Sequence, residues 1–98
     1  MMKILDCGYY EAHENNIWRC VFDVEYVEEV YIQKAKEFDE LYDGPCFELE
    51  VLYDEAEHKL FNPADLVYID FNGGACLFDY ELDLSQQDYI LQCIRKEI

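Results

Sequence analysis

The side chains best equipped for chemistry in this chain are carboxylates at alternate positions. Asp79, Glu81 and Asp83 follow one another two residues apart, and the same spacing recurs at Asp23 and Glu25 and at Glu48 and Glu50. Alternate residues of a strand point to one side, so each set would line one strand face with about 6.7 Å between successive carboxylates. Such rows could ligate a hard cation, supply an acid–base pair or attract a cationic surface. Asp79-x-Glu81-x-Asp83-x-Ser85 matches the opening of an EF-hand loop, but Leu84 stands where that loop needs glycine and Ile90 where it needs its bidentate glutamate. Acids on a strand also diverge rather than wrap an ion, so neither a metal nor any other cofactor is expected. Catalysis has no better footing. His13 and His58 lie in no nucleophile or metal motif, and Cys20 and Cys76 fall at positions expected to be buried. Asn72-Gly73-Gly74 lacks the helix and the basic residue that a phosphate loop requires. The chain is therefore expected not to be an enzyme.

Attraction of a cationic surface agrees with the bulk charge. The 98 residues carry 23 Asp and Glu against 7 Lys and Arg, a formal net charge of −16, and the isoelectric point is near 4.1. Solubility needs far less, and self-repulsion on this scale weakens a compact state. A merely solvated face usually mixes both signs, whereas only Arg19 interrupts these rows. Direct nucleic-acid binding needs a basic face to neutralise phosphate, and an anionic membrane would repel the chain. The expected partner is a basic protein surface. Asp79, Glu81 and Asp83 are its first candidate contacts, then Glu48 and Glu50, with Asp23 and Glu25 beside them. Asp39, Glu40 and Asp43 crowd the end of a predicted helix, where acids oppose the dipole, and form a second candidate patch. Tyr9, Tyr10, Tyr42, Tyr53 and Tyr68 exceed what a small core needs and are candidates for the same surface.

These residues need elements to hold them. The stretch from Asp65 to Leu84 predicts a hairpin about Asn72-Gly73-Gly74, whose residues tolerate the positive φ of tight turns. In its second arm Cys76, Phe78, Tyr80, Leu82 and Leu84 would face inward. Lys3 to Cys7 predicts a short first strand ended by Gly8, followed by a polar turn over Glu11 to Asn16. Ile17 to Tyr26 alternates, with Trp18, Cys20, Phe22, Val24 and Tyr26 on one face. From about Val27 the apolar period changes to that of a helix through Tyr42, closed by Gly44 and Pro45. Cys46 to Tyr53 is the next strand, Asp54 to Glu57 a turn, His58 to Phe61 a short strand, and Asn62-Pro63 a break. Ser85 with Asp88 resembles a capping box opening a last helix that buries Tyr89, Ile90, Cys93 and Ile94. The expected architecture is a single domain over residues 1–98 of α+β class: a mostly antiparallel β-sheet with one or two α-helices packed on one face.

Aromatic residues make up 16% of the chain, too many for an acidic disordered tail. Five widely spaced cysteines, with no Cys-x-x-Cys pair, predict reduced thiols. Met1-Met2-Lys3 is too soon followed by charge for a signal peptide, and no apolar run reaches membrane-spanning length. A cytoplasmic location is expected, as a monomer or as a homodimer formed through an exposed strand edge.

The acids from Asp23 through Asp83, on a chain of this size, resemble the small acidic nucleic-acid mimics that phages and other mobile elements encode against host defence, including anti-CRISPR and anti-restriction proteins. The resemblance covers charge and size over the whole chain; it is not a sequence motif, and these inhibitors share no common fold. It implies a stoichiometric inhibitor that blocks the nucleic-acid channel of a nuclease complex in the host cytoplasm. Immunity proteins that neutralise basic nucleases are similar in size and charge. A cytosolic adaptor or structural domain with a solvating acid face is the alternative from another class.

Overall fold

The computed structural model describes residues 2–38, 46–61, 65–69 and 75–97. Alternation of apolar and polar residues produces two central strands, β2 (Ile17–Glu25) and β3 (Cys46–Asp54). β1 (Lys3–Glu14) precedes them; β4 (Lys59–Leu60), β5 (Asp65–Ile69) and β6 (Ala75–Asp79) follow. The strands form one antiparallel sheet in the order β1-β2-β3-β5-β6, and β4 pairs with the end of β3. With helices α1 (Glu29–Phe38) and α2 (Leu84–Glu97), the fold is α+β with a mostly antiparallel sheet, as the pattern predicts.

Both helices lie on the same side. Ile90 and Ile94 of α2 join Cys20, Phe22, Leu49, Val51, Tyr53 and Leu66 in one buried cluster; each such isoleucine contributes roughly 1.5–3 kcal/mol by leaving water. α1 covers the other end of that face, with Phe38 edge-on to Tyr68 and Tyr31 packed on Phe78 and Tyr80. The smallest dimension of the molecule is 19 Å, the depth of one sheet and one helix layer at about 10 Å each. The opposite face of the sheet has no second layer over it among the described residues.

Several expectations need correction. β1 does not end at Gly8 but runs on to Glu14, and its register against β2 shifts three times. Bulges of this kind let a strand absorb a glycine and keep pairing. The turn falls instead at Asn15, at φ 43°, a conformation Asn tolerates. β6 stops at Asp79 rather than continuing to Leu84; Asp79 pairs with Asp65, the first residue of β5. Tyr80 and Leu82 still turn inward from an extended linker, but Leu84 is exposed at the start of α2. Asp83, not Ser85, caps that helix: its Oδ1 accepts from the Gln86 amide at 2.8 Å and the Ser85 hydroxyl at 2.9 Å, while Gln86 Oε1 accepts from the Asp83 amide at 3.1 Å. This is the reciprocal capping box, two residues earlier than predicted. Tyr89 is exposed rather than buried. The Asn72-Gly73-Gly74 turn, Tyr42, Gly44, Pro45, Asn62 and Pro63 lie outside the described residues.

Candidate functional site

Cross-strand register decides where the acids go. Asp23 on β2 stands directly opposite Glu48 on β3. Glu50, two residues along β3, stands opposite Asp65 on β5, and Asp65 opposite Asp79 on β6. Directly opposed residues share a face with Cβ atoms about 4.5–5.5 Å apart. The result is a row of three carboxylates, Glu50–Asp65–Asp79, beside the pair Asp23–Glu48. These five acids span four strands and occupy the face opposite the helices. Among the described residues no three His, Cys, Asp or Glu side chains converge as a metal site requires.

The environment of these acids is electrostatically costly. The Glu48 carboxyl is held above the usual range by burial first and by the neighbouring Asp23 charge second. Asp65 is also raised, by burial, then by Asp79 and by Glu50 on either side. Both shifts mark charges that the protein itself neutralises poorly.

Among the described residues two cations meet acids of this face, Arg19 from β2 and Lys3 from β1. Arg19 Nε donates to Glu50 Oε1 at 2.5 Å, and its Nη1 donates to Glu11 Oε1 at 2.9 Å and to the Tyr9 hydroxyl. The guanidinium also sits 5.5 Å from the Tyr9 ring centroid. Burial alone would lower the Arg19 pKa, but Tyr9, Glu50 and Glu11 outweigh it and hold the charge in place. Lys3 pairs with Glu25 at 3.6 Å on the exposed surface. The sequence pattern pointed to Arg19 alone, because it lies within an alternating row; Lys3 lies outside those rows and meets Glu25 only through cross-strand register.

Apolar side chains lie between the charges. Val21 and Val67 are only 2% and 4% exposed although they belong to the face that no helix covers. Val21 is opposite Tyr9 and Glu50, and Val67 opposite Glu48 and Leu77; the stems of such long side chains can cover apolar neighbours. Leu77, on β6, is 59% exposed.

Of the predicted contact residues, Asp23, Glu25, Glu48, Glu50 and Asp79 share this face. Glu81 is exposed beyond the end of β6, and Asp83 spends its carboxylate on the α2 cap, which together with Ser85 holds its pKa below the usual carboxylate range. Asp39, Glu40 and Asp43 lie outside the described residues. Asp65 was not singled out by spacing, yet it is the centre of the row. Of the candidate tyrosines, Tyr9 is exposed on this face. Tyr10 is half-buried edge-on to Phe22, and Tyr53 and Tyr68 belong to the core. Among the described cysteines Cys20, Cys46, Cys76 and Cys93 are free thiols. Cys76 is half-buried rather than buried.

No family model, curated protein or solved structure matches the chain. No helix among the described residues is long and apolar enough to cross a membrane.

Proposed function

We propose that this chain is an acidic nucleic-acid mimic that binds and inhibits a basic nucleic-acid-binding or nuclease complex, the anti-defence role implied by its resemblance to anti-CRISPR and anti-restriction inhibitors. It acts in the cytoplasm, as a stoichiometric inhibitor without catalysis of its own. The observation that supports this reading is the Glu50–Asp65–Asp79 row with Asp23–Glu48 beside it. Like charges directly opposite in a sheet destabilise it. Five of them on one rigid face, with the Arg19 bond to Glu50 as the one ion pair to them among the described residues, make sense as a surface whose neutralising charges arrive with a partner. A duplex strand carries one phosphate per about 3.4 Å of axial rise, and rows of carboxylates about 5–7 Å apart offer a basic channel a comparable, sparser array.

The test is capture from a host extract on the immobilised chain at low and high salt, followed by competition with duplex DNA and assay of the recovered nuclease. Recovery of a basic nuclease subunit at low salt, its displacement by DNA and its inhibition by the free chain support the proposal. Capture that is indifferent to salt and to DNA overturns it in favour of an adaptor whose acids only solvate. Inhibition of a single-chain basic nuclease, with no guide or complex, would identify the immunity-protein class instead.

A further inference from the structure

The sheet has two outer edges, and they are built differently. β1 is long and its register with β2 breaks three times, which twists an edge away from new pairing. β6 keeps regular register with β5 through all five of its residues. Sheet order ends at β6, and among the described residues the one hydrogen bond reaching it from outside the sheet is donated by the Tyr31 hydroxyl to the Asp79 carbonyl at 3.3 Å. That contact sits at the end of the strand and leaves the backbone at Leu77 clear. A short, regular edge carrying an exposed leucine is a template for another strand.

We propose that β6 takes up an extended segment of the cationic partner as an additional antiparallel strand, with Lys or Arg opposite Asp79 and an apolar residue opposite Leu77. This rests on the proposed binding of a basic partner by the acid face and says how that partner is held. A strand added beyond β6 lies about 4.8 Å away, and its residue opposite Asp79 becomes the fourth position of the Glu50–Asp65–Asp79 row. A carboxylate there would extend the repulsion, whereas a cation there meets the outermost acid directly. Two residues along, an apolar side chain covers Leu77. Charge also argues against a second copy of this chain as the occupant, since pairing two edges would join two bodies of net charge −16.

The probe is a synthetic peptide alternating arginine and valine, added to the isotope-labelled full chain at low salt. Its controls are the same peptide N-methylated at alternate residues in both registers, and a glutamate–valine version. With peptide at ten times its Kd, exchange of those amides of residues 75–79 that point away from β5 should slow by about tenfold, because only the unbound fraction exchanges. N-methylation in the pairing register should abolish the slowing, and the glutamate peptide should not bind. Signal changes at Asp23, Glu48 and Glu50 without protection at 75–79 would overturn the edge inference while leaving the acid-face reading standing. Absence of binding by the arginine peptide would overturn both. Protection of the outward-pointing amides without peptide, accompanied by a dimer in sedimentation, would show that a second copy is the occupant and overturn the inference.

Discussion

Asp65 and Asp79 face each other across the β5–β6 pair, and Glu50 faces Asp65 from the other side. An acid flanked by acids in both neighbouring strands raises the energy of the fold; burial first, then Asp79 and Glu50, hold the Asp65 pKa above its ordinary range. Asp65→Asn removes the central charge with little change of shape. It should stabilise the chain by roughly 0.2–1 kcal/mol, a rise in Tm of about 1–8 °C for a domain of this size. The same variant should bind a basic partner more weakly. Thermal unfolding and a binding titration on one preparation check both arms; a variant that loses stability would show that Asp65 is structurally required.

Stability should also rise when the medium turns mildly acid. Glu48 and Asp65 both have folded pKa values above their ordinary range, so the folded state binds protons more readily than the unfolded one. Between the two pKa values stability falls as pH rises, and the cost is fully present at neutral pH. Asp83 works in the opposite direction. Its lowered pKa contributes stability above the ordinary carboxylate range, lost as pH falls through its folded value. Melting temperature should therefore climb as pH falls from neutral towards the ordinary carboxylate range, then fall at stronger acid. Asp65→Asn should flatten the climb, and Asp83→Asn should reduce the fall.

Arg19 holds the acid face together from one side while partly masking it. It bonds Glu50, Glu11 and Tyr9 at once. Arg19→Ala leaves a half-buried Glu50 without its donor and should cost roughly 1–3 kcal/mol in urea unfolding. It also makes the face more negative, so association with a cationic probe should speed up even as stability drops. Arg19→Lys should not restore the stability, because an ammonium lacks the planar fork that reaches three acceptors. Opposite movements of stability and on-rate are the signature to look for.

Legibility of this fold followed local patterning. The alternation of β2 and β3 and the period of α1 were plain in the residues because each is a property of one segment. β1 was misread because Gly8 looks like a stop, and only the bulged pairing with β2 shows how it is accommodated. The end of β6 was misread because Tyr80 and Leu82 keep the inward alternation after the ladder has stopped; burial alone sustains the pattern there. The acid face was half visible. Spacing gave Glu48 and Glu50, and Asp23 with Glu25, but the placement of Asp65 between Glu50 and Asp79 depends on register across a connection that contains β4. Register of distant strands is fixed by packing of the whole sheet and leaves no mark at Asp65 itself.

Asp83 separates acids that hold the fold from acids that face a partner. Its carboxylate caps α2 through the Gln86 amide and the Ser85 hydroxyl. Asp83→Ala should lower the melting temperature, and Asp83→Ser, which keeps a capping oxygen, should recover most of the loss. Neither should change the affinity for a basic partner beyond what loss of one distant charge brings. Equal stability of Asp83→Ala and the parent would show that the cap is idle.

Charge reversal gives the sharpest contrast between the two kinds of acid. Asp65→Lys with Asp79→Lys replaces two of the three charges in the row; the lysine at position 65 gains an attractive partner in Glu50 while the two lysines keep a like-charge pair between β5 and β6, so stability should change little. Association with a poly-arginine peptide at low salt should slow on the order of tenfold or more, because both nearest charges now repel the approaching cation. Reversing Glu81 with Asp83 changes net charge by the same amount but leaves the row intact. It should lower stability through the lost cap and slow association less. At high salt the parent and both variants should converge, since screening beyond a Debye length of about 3 Å at 1 M removes long-range attraction. If the two double reversals slowed association equally, only net charge would matter, and the alignment of Glu50, Asp65 and Asp79 would have no part in recognition.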